Sequence, residues 1–264
     1  MEPWHIIVAL IQGLIEWLPI SSEGHVVLFV YNVGALPQQE IVTLVVWLHL
    51  GTALAVVARY PRTAYELITL RDWQLLRWLI IATMATAITA IPFYIYLKAT
   101  LTAAQGEFLN AVVGVLLLLT AIVLYLPTRK DANPSGLTTE NPDNRISLIT
   151  GLIQGVSVLP GLSRSGVTVS ALLMQKVDKE KALQFSFLMS VPAVLGIFAV
   201  EILWGGAALP SVGAIDLILM EVVVFIAGLG SMEFLLRLAR RVAFWKLCLT
   251  LGLIAIAFGL PALL

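Results

Sequence analysis

Residues 10–24 read LIQGLIEWLPISSEG and residues 152–166 read LIQGVSVLPGLSRSG. Laid over one another without a gap they agree at six of fifteen positions, at an offset of 142 residues. Each begins as an apolar helix carrying a glutamine and then runs into Pro, Gly and Ser, which interrupt a helix. A helix needs roughly 20 apolar residues to cross a hydrocarbon core of about 30 Å. The apolar segments 4–33 and 146–175, broken near their middles, therefore read as re-entrant hairpins. Six uninterrupted runs, 41–58, 76–97, 107–126, 185–204, 214–236 and 244–262, are long enough to be full spans. Adding the same 142-residue offset to the first three brings each close to one of the last three, the mark of a duplicated unit.

The expected fold is all-α: a polytopic membrane protein of six transmembrane helices and two re-entrant helical hairpins, in one membrane domain over 1–264. Residues 1–129 form the first repeat, 130–145 an Asn-, Pro- and Thr-rich connector, and 146–264 the second repeat. Three spans per unit is an odd number, so the second repeat is inverted relative to the first. Inverted repeats with broken helices bind their ligands where the breaks meet near the midplane.

Composition supports the membrane and narrows the function. Hydrophobic residues make up 59% of the 264 and charged residues only 12%, about half the roughly 25% of a soluble domain. Such a chain cannot cover its own surface with polar groups. The balance of 16 basic and 16 acidic residues offers no basic face for nucleic acid. The Met-Glu-Pro-Trp start lacks the basic region of a cleaved leader, so the first helix is expected to be retained. One cysteine, Cys248, rules out an internal disulfide and reads as core filler. Arg59, Arg62, Arg71, Arg129, Lys130, Arg145, Lys176, Lys179, Lys181, Arg237, Arg240 and Arg241 all fall on one side of the expected spans. That side is assigned to the cytoplasm. Cell membrane, multi-pass, is the expected location.

The breaks gather the groups that carry chemistry. The first supplies Gln12, Glu16, Ser21, Ser22, Glu23 and His25, and the second supplies Ser163, Arg164, Ser165 and Thr168. Ionisable groups at membrane depth are costly and usually functional. Gln12 and Glu16, four apart, share one helical face. Ser22–Gly24 and Ser163–Gly166 are places where a serine can cap a restarting helix. Two helix N-termini then converge on one cavity, with Arg164 adding a planar fork suited to phosphate oxygens. Phosphoryl transfer needs a nucleophile or a positioned water, a proton acceptor and charge neutralisation, which Ser22, His25 and Arg164 can supply. His5 and His49 read as structural histidines, and Glu201, Asp216, Glu221 and Glu233 as interfacial, the last paired with Arg237 one turn on.

QGLIEWLPISSEGH at 12–25 and PGLSRSGVT at 160–168 resemble the two signatures of the undecaprenyl-diphosphate phosphatase family of the bacitracin-resistance type. QFSFLMSVP at 184–192 is similar to it as well. The resemblance implies hydrolysis of a C55-type polyprenyl diphosphate to the monophosphate, recycling a carrier lipid for cell-envelope glycan assembly. It implies that Gln12 and Glu16 match a Glu/Gln-x-x-x-Glu element and that Ser22, His25, Ser163, Arg164, Ser165 and Thr168 match active-site residues. Of these, Glu16, Ser22, His25 and Arg164 are expected to be catalytic, and Gln12, Ser21, Glu23, Ser163, Ser165 and Thr168 to bind substrate. The nucleophile is Ser22, His25 or a water. Glu23 departs from the pattern, which has a small hydroxyl residue there. The added carboxylate would either repel a diphosphate or help Glu16 hold a divalent cation such as Mg or Ca. Expected partners are the bilayer and the lipid substrate, with a homodimer allowed and the site reached from the extracytoplasmic side. The competing reading is a polyprenyl-phosphate transporter or flippase, since inverted repeats with broken helices are transporter architecture.

Overall fold

The computed structural model describes residues 1–18, 21–34, 36–101, 141–159, 162–204 and 211–238, with isolated helical positions between 115 and 125 and between 245 and 256. Among them the regular elements are helices. These are α1 (Pro3–Ile15), α2 (Ser22–Val33), α3 (Gln38–Arg59), α4 (Pro61–Ile68), α5 (Trp73–Leu101), α6 (Asn144–Val156), α7 (Arg164–Met174), α8 (Lys179–Trp204) and α9 (Ala214–Leu238).

Local chemistry sets the short helices around the two breaks. Pro sits in the first turn of α1, where its missing N–H is no loss. Ser21 Oγ accepts the Gly24 N–H at 3.1 Å and starts α2. Ser163 Oγ accepts the Gly166 N–H at 3.1 Å and starts α7 in the same manner. Helix α2 stops at Gly34, whose φ of 65° is a left-handed conformation that glycine adopts without a Cβ clash. Both apolar segments read as broken are therefore helix–break–helix units, with breaks after Ile15 and Val156.

Four stretches are long and apolar enough to cross a membrane: Glu40–Arg59, Trp73–Tyr96, Glu180–Leu203 and Ala214–Phe234. The protein is accordingly a multi-pass membrane protein. The expected spans 41–58, 76–97, 185–204 and 214–236 fall on α3, α5, α8 and α9, most of which begin a few residues earlier. Those at 107–126 and 244–262 lie outside the described residues, apart from isolated helical positions, as do Cys248 and most of the connector.

Helix α1 packs on α9, α6 on α5, and α3 between α8 and α9. Small residues let the backbones close up, as is usual for helices in lipid. A Cβ built on Gly151 of α6 would lie 2.2 Å from the Ala82 carbonyl oxygen of α5, and one on Gly13 would lie 2.7 Å from Ala227 Cβ of α9. Hydroxyls reinforce the same seams: Thr86 Oγ1 donates to Gly151 O at 3.0 Å and Ser231 Oγ to Gly13 O at 2.7 Å. Trp17, fully buried, donates Nε1–H to Gly228 O at 2.8 Å and meets Phe187 edge-on. The outer faces carry Ile88, Ile95, Ile215 and Ile226, exposed as a lipid-facing surface requires.

Two acidic residues depart from their expected surroundings. Glu201 is only 3% exposed and accepts a hydrogen bond from Thr43 Oγ1 at 2.7 Å. Glu221 buries its carboxylate against Gly51 of α3. Position along a helix says how deep a residue lies, whereas rotation about the axis decides whether it faces lipid or protein. Glu233 meets Arg59 of α3 at 3.0 Å, while the side chain of Arg237, its expected partner, lies outside the described residues.

Candidate active site

Glu16, just beyond the end of α1, is the centre of the site. Gln12, one turn back on the same face and fully buried, donates Nε2–H to Glu16 Oε2 at 2.9 Å. Ser22, first residue of α2, donates its hydroxyl to that same oxygen at 2.5 Å. The other oxygen, Oε1, is ion-paired with Arg164 Nη2, so the first residue of α7 reaches from the second break into the first. The Arg164 guanidinium also stands 5.9 Å from the Trp17 ring centroid. A carboxylate that is 5% exposed is thus surrounded by donors on both oxygens, as a buried charge requires.

The second break is tied to the first through its serines. Ser163 Oγ and Ser165 Oγ donate to the Leu18 carbonyl oxygen at 3.3 and 3.0 Å. Thr168 Oγ1 donates to Arg164 O at 2.7 Å and lies 2.5 Å from Ser186 Oγ of α8. The hydroxyls expected to meet substrate are thus engaged in fixing the backbone of the junction. Both α2 and α7 begin there, so two positive helix ends are brought to one place.

His25 stands on α2 with Nδ1 2.6 Å from the Ser21 carbonyl oxygen, turned toward its own chain. The imidazole that meets the carboxylates is His49 of α3, with Nε2 3.4 Å from Glu16 Oε2 and 3.5 Å from Glu23 Oε1. The sequence reading left His49 among structural residues because it sits in an uninterrupted apolar span far from either break. An imidazole at that depth was itself the signal.

Some of these groups border a cavity. Glu23, His49 and Arg164 line it together with Thr86, Gln154 and Ser157 on α5 and at the end of α6, and Val42, Val45, Val194 and Ile197 supply apolar walls. Gln154 is 2% exposed, donates Nε2–H to Thr86 Oγ1 at 3.1 Å and leaves Oε1 without a partner among the described residues. It is the counterpart of Gln12 at the 142-residue offset. The offset that aligned the breaks would have singled it out.

A divalent cation on Glu16 and Glu23 would compete with the groups already on Glu16. Both Glu16 oxygens are engaged, one of them by Arg164, and a cation there would have to displace a guanidinium.

Comparison with known proteins assigns the chain to a family. Residues 5–255 match the family described as Bacitracin resistance protein BacA. A Methanopyrus kandleri protein named undecaprenyl-diphosphatase is 38% identical, over 99% of this chain and 98% of its own. Proteins of the same name from Methanothrix thermoacetophila and Haloarcula marismortui are 34% and 35% identical, over 96% and 97% of this chain and 94% and 96% of theirs. With nearly its whole length matched, the chain belongs to the BacA family of bacitracin resistance proteins.

Proposed function

We propose that this protein hydrolyses undecaprenyl diphosphate, or a closely similar polyprenyl diphosphate, to the monophosphate and inorganic phosphate, returning a carrier lipid to cell-envelope glycan synthesis. The observation that carries the reading is the buried chain Ser22–Glu16–Arg164 at the junction of two helix breaks. A hydroxyl held on a carboxylate, beside a guanidinium and two helix N-termini, has the parts of a phosphoryl-transfer site.

In this reading Arg164 and the first-turn N–H groups of α2 and α7 bind the terminal phosphate. Ser22 Oγ attacks its phosphorus while Glu16, 2.5 Å away, takes the proton. The bond to the bridging oxygen breaks, the polyprenyl monophosphate leaves, and water then cleaves the phosphoserine with Glu16 again as base. Direct attack by a water on Glu16 uses the same groups, with Ser22 as hydrogen-bond donor. Gln12 orients Glu16. His25 is assigned the leaving group's proton, its Nδ1 contact with Ser21 O making Nε2 the exchanging nitrogen. Ser21, Ser163, Ser165 and Thr168 serve the substrate by capping and tying the breaks so that backbone N–H groups face it. No step is routed through a metal.

The apolar walls of the cavity suit the first isoprene units of the tail. Access from the extracytoplasmic side is supported by where the lining falls. Val42–His49, Thr86–Tyr94 and Ala193–Ile197 all lie away from Arg59 on α3, from Arg71 just ahead of α5 and from Lys181 on α8, which the positive charge assigns to the cytoplasm. Six spans with two inverted re-entrant hairpins is the arrangement this reading adopts. A flippase is the weaker reading, because a pure carrier has no use for a hydroxyl seated on a carboxylate. Purified protein in detergent, given a polyprenyl diphosphate, should release inorganic phosphate and leave the monophosphate. A folded preparation that binds the lipid and releases none overturns the proposal.

A further inference from the structure

We infer that His49 and Glu23 share a proton that makes the cavity neutral, and that this proton determines whether a diphosphate is accepted. The inference rests on the proposed substrate class and goes beyond it by assigning a binding role to two residues of α2 and α3.

The argument is an inventory of donors. His49 Nδ1 lies 2.6 Å from the Val45 carbonyl oxygen, an atom that only accepts, so Nδ1 carries a hydrogen. In a neutral ring Nε2 then offers only a lone pair. Yet Nε2 faces Glu16 Oε2 at 3.4 Å and Glu23 Oε1 at 3.5 Å, and ionised carboxylates are acceptors too. Three acceptors turned on one another without a hydrogen are costly where water is scarce. A proton must therefore sit among them. Ser22, Gln12 and Arg164 already satisfy Glu16 as an anion, which leaves the proton to His49 and Glu23.

The charge balance shows what the proton does. Without it, two carboxylates stand against one guanidinium, and a diphosphate enters against net negative charge. With it, the charges cancel and Arg164 is opposed to the incoming phosphate alone. Glu23 is the carboxylate that stands where a small hydroxyl residue is expected, and His49 is the compensation it is given. The other elements around the imidazole add Glu16 from the end of α1, Arg164 from α7 and Glu221 from α9, whose carboxyl group lies beside Gly51. Helix α8 lines the cavity only with Ala193, Val194 and Ile197.

The experiment is a cycle of His49→Gln, Glu23→Gln and the double variant, each checked for folding by thermal melting in detergent. Farnesyl diphosphate is the probe, with Kd from calorimetry and kcat and KM from phosphate release. His49→Gln alone should raise Kd and KM at least about tenfold at neutral pH, the effect of leaving a like charge against the ligand, with little change in kcat. In the Glu23→Gln background the same change should cost less than about threefold, since the charge it compensates is gone. Raising the pH should weaken binding to the wild type by removing the shared proton, and should leave the Glu23→Gln variant nearly flat over the same range. Equal penalties in both backgrounds, or a kcat loss with unchanged Kd, would overturn the assignment. Should wild type bind farnesyl diphosphate without releasing phosphate, the phosphatase reading fails while the Kd cycle still decides the role of His49. If His49→Gln does not fold, the pH comparison between wild type and Glu23→Gln decides it.

Discussion

Arg164→Lys separates the shape of the guanidinium from its charge. In the structure one N–H of the fork is committed to Glu16 Oε1, and the proposed role gives the others to a phosphate oxygen. A lysine ammonium has one nitrogen on a longer flexible stem and cannot hold both partners in one plane. The side chains of Arg164 and Glu16 are 14% and 3% exposed, so water does not replace what is lost. Losing one hydrogen bond to a charged group in such a place costs about 1.5–3 kcal/mol, which is roughly 10- to 150-fold in kcat/KM. The measurement is phosphate release from a polyprenyl diphosphate by wild type and variant in the same detergent, with melting curves showing both to be folded. Arg164→Ala is the poorer probe, because an unpaired buried carboxylate costs about 3–5 kcal/mol and confuses folding with catalysis. If Arg164→Lys kept kcat/KM within about threefold of wild type, the bidentate argument would be refuted and Arg164 would be a point charge.

The remaining predictions concern the same junction and its frame. Glu16→Gln should lose about a hundredfold or more in kcat, whereas Gln12→Glu should stay within roughly tenfold, because a protonated glutamate there can donate the bond that Gln12 now gives to Glu16; equal losses in the two would remove Glu16 from proton transfer. Ser22→Ala should abolish any phosphoenzyme trapped by acid quench and reduce turnover by about a hundredfold or more; full turnover would hand the attack to water. Gly151→Ala should lower the melting temperature through overpacking of about 1–3 kcal/mol or more, since the new methyl meets backbone at 2.2 Å, while Gly196→Ala, with nothing within 4 Å, should be neutral. An unshifted melt for Gly151→Ala would mean that α5 and α6 can move apart freely.

What could be read from the chain was what is written locally. The two breaks announced themselves through Pro, Gly and Ser, and the 142-residue offset said that they are equivalent and should meet. Gln12, Glu16, Ser22 and Arg164 followed, because each lies within a turn of a break, and the structure brings all four together. His49 was missed for a different reason: it sits inside a regular apolar helix, where only the rotation of α3 against its neighbours turns its side chain into the cavity, whereas Gln154 was legible through the 142-residue offset. Glu233 shows the same limit from the other side: spacing alone could not offer Arg59, a partner 174 residues away that tertiary packing supplies. For Ser163 and Ser165 the sequence marked the second break, while only the fold shows that their hydroxyls turn to the Leu18 carbonyl of the first.

The pairing of Arg164 with Glu16 also bears on how a round of turnover ends. A cation that grips phosphate well tends to keep it, and many hydrolases are slowed by their own product. Here the departing anion has a rival already built into the wall. Once inorganic phosphate is formed, Glu16 offers Arg164 a carboxylate that need not diffuse in or lose freedom on arrival, because α1 already holds it in place. In the proposed cycle Arg164 keeps its Glu16 partner as the product departs, and the cavity returns unaided to the state in which the next lipid finds it.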